Sequence, residues 1–130
     1  MIHTNETKQR VRIDGLTKYF GNKMVLDDVS LGVSPHEVVC LIGASGSGKS
    51  TLLRCVSDLV EFEGGEIYLD NVPIQDPSFG RNGLHKRVGI VFQAYNLFPH
   101  MRVLDNITLA PRRVHGVSRR ESEAYAYELL

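Results

Sequence analysis

The chain has 130 residues, with 15 Lys+Arg balancing 15 Asp+Glu. That is about one domain's length of chain, and the zero net charge argues against a uniformly basic nucleic-acid binder. The 42% apolar and 23% charged fractions fit a globular chain and exclude a disordered tail.

Residues 1–9 read as a flexible polar tail. The stretch Met1 to Arg10 has no apolar core segment, so no secretory signal is expected there. Val11 to Leu16 is a strand candidate, and Gly21-Asn22 marks a turn. Val29 to Val33 alternates apolar with small or polar residues, the strand period. Ser34-Pro35-His36 breaks it. Val38-Val39-Cys40-Leu41-Ile42 is the longest unbroken apolar run, at five residues. It is far short of the roughly 20 needed to cross a bilayer, and predicts a strand buried on both faces.

Gly43 to Gly48 is rich in Gly and Ser. Behind it Leu52, Leu53, Val56, Leu59 and Val60 fall at helical spacing, so the order is strand, glycine loop, helix. Gly64-Gly65 predicts a turn. Glu66 to Leu69 and Val72 to Ile74 predict a hairpin around Asp70-Asn71. Asp76 to Gly83 reads as loop and Val88 to Phe92 as another apolar strand. Val103 to Ala110 predicts a short helix stopped by Pro111. Ser118 followed by Glu121 is a capping-box pattern, opening a helix toward Leu130 with no stop signal at its end. This raises the expectation that the chain is cut short. Cys40 and Cys55, each inside an apolar segment, read as core thiols of a reducing compartment.

Gly43-Ala44-Ser45-Gly46-Ser47-Gly48-Lys49-Ser50 matches G-x-x-x-x-G-K-[ST]. Glycines at 43, 46 and 48 let backbone N–H groups of the loop, Ser45 and Ser47 included, turn toward phosphate oxygens. The helix that starts there adds its free amides and dipole. Lys49 is placed for the β- and γ-phosphates, the Ser50 hydroxyl for Mg²⁺, and Thr51 for a further phosphate contact. A chance Gly/Ser turn rarely has a buried strand before it and an amphipathic helix after it, so a nucleotide phosphate site is expected. The loop by itself leaves kinases, GTPases, motor ATPases and transporter ATPases open.

The flanks narrow that choice. With Leu16-Thr17-Lys18-Tyr19-Phe20-Gly21, Val25-Leu26-Asp27-Asp28-Val29-Ser30-Leu31, the phosphate loop and Val88-Gly89-Ile90-Val91-Phe92-Gln93, the chain resembles the nucleotide-binding subunit of an ATP-binding-cassette (ABC) transporter from about Val11 onward. The resemblance implies an α/β P-loop NTPase fold of the ABC type, first half only: an antiparallel β subdomain, the phosphate-loop core with its strands and helix, and the start of a helical subdomain. Residues 10–93 would form the β subdomain and core, and 94–130 the glutamine loop and the first part of the helical subdomain.

The resemblance also implies roles. Phe20 would stack on adenine, as a flat apolar ring can without strict base selection, though neighbouring Tyr19 is a rival. Gln93 would contact Mg²⁺ and the water near the γ-phosphate; a neutral amide both donates and accepts there. Lys49 and Gln93 are thus the candidate catalytic residues, and ATP and Mg²⁺ the ligands. The apolar loop Ala94-Tyr95-Asn96-Leu97-Phe98-Pro99-His100-Met101 and the segment through Ala110 would dock on a transmembrane permease. Further partners would be a second nucleotide-binding domain, in a dimer, and indirectly a solute-binding protein, with no nucleic acid. The place would be peripheral, on the cytoplasmic face of the membrane. The run from Phe92 through Pro111 looks most like the polar amino-acid importer branch.

Some parts of the pattern do not occur in the sequence. No apolar strand ends in Asp-Glu, the place of the family's general base, and Asp27-Asp28 precedes the phosphate loop. The Leu-Ser-Gly-Gly-Gln signature and its following histidine are also missing. The expectation is therefore a chain truncated before its catalytic base and inactive alone; a non-catalytic ATP-binding or permease-docking remnant is the alternative. Arg112, Arg113, His115, Arg119 and Arg120 read as a solvated basic helix face.

Overall fold

The computed structural model describes residues 9–80 and 83–130. The tail expected at 1–9 thus lies, but for Gln9, outside the described residues. Two compact units divide at Arg87/Val88.

In the first unit, β1 (Val11–Phe20) and β2 (Lys23–Val33) form an antiparallel hairpin, with Phe20 paired to Lys23 across the Gly21-Asn22 turn. β1 also pairs with β3 (Gly64–Leu69), which pairs with β4 (Val72–Pro73), giving the order β2-β1-β3-β4. The β3–β4 turn is Asp70-Asn71, both at positive φ. That is the backbone a tight two-residue hairpin needs and Asn and Asp tolerate. One face of the sheet carries Ile13, Leu16, Leu26, Ile67 and Leu69, all buried. Leu16 is wholly buried; Leu16→Ala is expected to destabilise this unit by about 2–5 kcal/mol, read from the shift in a denaturant midpoint.

Helix α1 (Lys49–Val56) follows the glycine loop. It is shorter than the apolar spacing suggests, ending before Asp58 at φ 55. Its buried positions are Leu52 and Cys55, while Leu53 and Leu59 are exposed. Gly64-Gly65 does not form a separate turn; it opens β3. Gly65 sits at φ +84, where a side chain would strike the Asp14 and Gly15 carbonyls, so the glycine permits an irregularity in the β1–β3 pairing rather than a reversal. Within the expected loop 76–83, a 3-10 turn at Pro77–Phe79 is capped by the Asp76 side chain accepting from Ser78 N–H at 2.7 Å.

Two expected strands are absent. Val38–Ile42 and Val88–Phe92 have no strand structure, and Val38, Ile42 and Val91 are 89%, 94% and 86% exposed. A strand exists through its ladder, and among the described residues neither run has a partner strand. Cys40 is consequently exposed rather than in a core, whereas Cys55 is buried. Burial pushes the Cys55 thiol up, which keeps it unreactive.

In the second unit, α2 (Val103–Arg113) and α3 (Arg119–Leu129) pack together through small residues, with Thr108, Ser122 and Ala126 buried. Ser118 caps α3, its Oγ accepting from Glu121 N–H at 3.3 Å. Pro111 does not stop α2; the helix runs on to Arg113. Near a C-terminus its missing N–H removes only one bond of the last turn. No helix among the described residues is long and apolar enough to cross a membrane.

Candidate functional site

The glycine loop, the start of α1 and Val25 of β2 enclose a cleft of about 260 Å³, lined by Ser45, Gly46, Gly48, Lys49, Ser50 and Thr51. Gly48 makes the approach possible. It has φ +92, and a Cβ there would lie 2.9 Å from both Val25 O and Leu26 Cδ2. Any other residue would push the loop off β2. Gly48 is also the N-cap of α1, so no side chain satisfies the helix's first amides. Those free N–H groups and the dipole favour an anion at this end.

The Lys49 ammonium turns back into the loop. Its Nζ donates to Gly43 O at 2.8 Å, Ala44 O at 2.6 Å and Ser47 Oγ at 3.2 Å. These acceptors are neutral, so the positive charge is held in place but not neutralised. A Cβ at Gly43 would meet Ser47 Oγ at 2.8 Å, a contact the serine side chain could relieve by turning. Ser50 is exposed on the first turn and Thr51 is half-buried. The residues therefore fit a phosphate chain: a caged cation, uncapped amides and two hydroxyls in one small cleft. A hard cation taking the Ser50 hydroxyl would draw its other ligands from phosphate oxygens and water.

Phe20 closes β1 and is 51% exposed. Two residues the sequence reading passed over hold that strand end. Lys18, only 7% exposed, donates to Glu63 Oε1 at 2.7 Å and stands 5.1 Å from the centroid of the Phe20 ring. The other oxygen, Glu63 Oε2, accepts from Tyr19 N–H at 2.7 Å. One carboxylate thus fixes the backbone beside Phe20 and neutralises the buried ammonium beneath its ring. The hydrogen bond from Lys18, then that from Tyr19 N–H, hold the Glu63 carboxyl below its ordinary range. A lowered folded-state pKa adds stability that is present above the ordinary glutamate value and is lost as pH falls through the lowered one. Glu63→Gln is expected to flatten the acid limb of the stability curve, measured by melting the two proteins between neutral and acid pH.

Gln93 belongs to the second unit, exposed in the turn that Tyr95 N–H closes on Phe92 O at 3.0 Å. Beyond it Tyr95 and Leu97 are 75% and 69% exposed. Asn106 of α2 ties this loop down: its Oδ1 accepts from Phe98 N–H at 2.8 Å, and its amide donates to the Phe98, Met101 and Arg102 carbonyls.

Comparison with known proteins gives a consistent result. The ABC transporter family matches residues 26–130. The glutamine transport ATP-binding protein GlnQ of Geobacillus stearothermophilus is 46% identical over 115 residues, 88% of this chain and 48% of its own length. The Fe(3+) ions import ATP-binding protein FbpC of Streptomyces coelicolor is 48% identical over 118 residues, 91% of this chain and 32% of its own. Among solved structures, the ATP-binding cassette MJ0796, a dimer in a post-hydrolysis state bound to ADP and Pi, superposes with a TM-score of 0.74 at 32% identity. That match covers 91% of this chain and 54% of the cassette. The chain spans about half the length of its amino-acid-transport relative.

Proposed function

Because this chain belongs to the ABC transporter family, we propose that it forms the ATP-binding, N-terminal part of an importer's energy-coupling subunit, serving polar amino acids. The observation that carries the nucleotide reading is the Lys49 ammonium caged by neutral acceptors at the uncapped start of α1. The amino-acid reading rests on the likeness to GlnQ and on the run from Phe92 to Pro111.

In this reading Lys49 exchanges its carbonyl partners for β- and γ-phosphate oxygens, and the amides at 45–49 line the phosphates. Ser50 holds Mg²⁺, Thr51 adds a hydroxyl, and Phe20 offers its exposed face to adenine. Bound MgATP supplies the γ-phosphoryl group whose transfer to water drives transport. Gln93 would contact Mg²⁺ and the water near the γ-phosphate. The exposed loop after Gln93, with residues through 110, docks on the permease at the cytoplasmic face of the membrane. A second nucleotide-binding domain completes a dimer, and a solute-binding protein acts through the permease. The dimeric cassette MJ0796 supports the pairing.

Phosphoryl transfer needs a positioned base as well as a phosphate cradle, and the sequence has no Asp-Glu strand end to supply one. The 130-residue chain is expected to bind MgATP, displacing a fluorescent analogue, while releasing no phosphate at steady state. Sustained release that disappears in Lys49→Ala would overturn the second half of this expectation; failure to displace the analogue would overturn the first.

A further inference from the structure

The second unit contains a groove of about 630 Å³ between α2, α3 and the segment before α2. Arg102, Arg112, Arg113 and Arg119 are among the residues that line it, with His100 and one acidic residue, Asp105. In a chain whose total charge is zero, this is a marked local excess of positive charge. Arg119 is bonded to Glu123 through Nε at 2.7 Å. Among the described residues Arg102, Arg112 and Arg113 make no ion pair.

Helix electrostatics explain only half of this. Arg112 and Arg113 end α2, where a cation is favoured. Arg102 is the N-cap of α2 and Arg119 the first residue of α3, the ends where the dipole opposes a cation. Two arginines at favoured ends and two at disfavoured ends converge on one groove. Arg119 is offset by Glu123 and lies near Asp105, which leaves Arg102, Arg112 and Arg113 as the charges an entering anion would meet. Guanidinium forks match the paired oxygens of a phosphate better than any other anion-binding side chain does. The volume exceeds that of a lone phosphate and suits a phosphate ester with an organic body.

We propose that this groove is a second anion site, separate from the glycine loop, that binds a phosphate ester. The source is either a soluble phosphorylated small molecule or the headgroup of an anionic phospholipid. The groove is lined wholly by residues 100–119, so it lies within the second unit; its residues up to 110 belong to the segment proposed above to dock on the permease, so ligand and permease would share this face.

The test uses the full chain bearing Lys49→Ala, which silences the glycine loop. Sodium pyrophosphate is titrated while the His100 imidazole resonances are followed. In parallel, vesicles of phosphatidylcholine with or without phosphatidylglycerol are sedimented with the protein. A saturable His100 shift, weakened at least about tenfold by Arg112→Gln with Arg113→Gln, supports the site and a soluble ligand. Salt-sensitive sedimentation with the phosphatidylglycerol vesicles only, lost in the same variant, supports the site and a headgroup ligand. Both arginines are exposed, so the double change touches no core. The pair Arg112→Lys with Arg113→Lys provides a second variant that keeps the charge but loses the fork, and it should bind with intermediate affinity. No response to either probe, or binding that ignores the double glutamine change, overturns the proposal.

Discussion

Lys49→Ala is expected to lower the affinity of the chain for MgATP by about two orders of magnitude, with little change in its melting temperature. The size follows from the bonds exchanged. In the free chain Lys49 donates to two carbonyls and a hydroxyl, all neutral acceptors. On binding it would donate to charged phosphate oxygens. The ammonium makes the bonds of both states charge-assisted, but only the phosphate oxygens add an opposite charge, so each bond moves toward the upper end of about 1.5–3 kcal/mol or beyond it. The difference over two or three bonds is about 3 kcal/mol, or roughly a hundredfold in Kd. The melting temperature should hold because Lys49 is only half-buried and its bonds are to groups of the loop itself. Titration with a fluorescent ATP analogue and a parallel melt separate the two effects. A variant that binds as tightly as the parent would remove the phosphate role from Lys49. Lys49→Arg adds a discriminating control: it keeps the charge, but a planar fork replaces a compact ammonium in a cleft of about 260 Å³, so it should bind weakly too.

That cleft was legible in the sequence because its chemistry is mostly backbone. Gly43, Gly46 and Gly48 announce a loop whose amides are free, and Lys49 and Ser50 follow at fixed spacing, so local order alone defines the motif. The support for Phe20 was not legible. Lys18 and Glu63 are 45 residues apart, and only the pairing of β1 with β3 brings them together. Lys18 also breaks the strand's alternation. A buried lysine reads as a surface residue until its partner is seen, which is why β1 was expected to end at Leu16 when it runs to Phe20. The groove in the second unit was half legible. Arg112, Arg113 and Arg119 stood out as a basic face, while Arg102, at the opposite end of α2, is seen to line the same groove only in the folded unit.

The errors have the same physical root. Apolar composition reports what a segment would gain by burial, not whether a partner stands beside it. Val38–Ile42 and Val88–Phe92 have strand composition without a ladder. Leu53 and Leu59 obey the helical spacing but face solvent, because α1 ends at Val56. Period and composition located the β3–β4 hairpin and the outer ends of β1 and β2, but not residues 17–20 and 23–28 beside the Gly21-Asn22 turn.

Those two unpaired runs carry the second large expectation. Backbone amides at 38–42 and 88–92 should exchange with solvent deuterium far faster than those of β1, which pairs on both sides. Exchange protection follows a formed hydrogen-bond ladder and burial; neither run has a ladder, 38–42 is exposed and 88–92 is at most half-buried. The side chains make the same point energetically. Fully burying a Val or Ile contributes about 1.5–3 kcal/mol, and Val38, Ile42 and Val91 forgo nearly all of it at 86–94% exposure. Apolar segments whose backbone N–H and C=O groups lack a ladder are also a template for association between chains. The protein should therefore bind a hydrophobic dye and self-associate as its concentration rises. Ile42→Lys and Val91→Lys should each raise the concentration at which that begins. Both substitutions fall on exposed side chains, so neither should lower the melting temperature of the β1–β2–β3 sheet. Slow exchange at 38–42 in a monomeric chain with a cooperative melt would show instead that the run finds a ladder partner within these 130 residues. In that case the burial expected of Val38–Ile42 from its composition would be right after all.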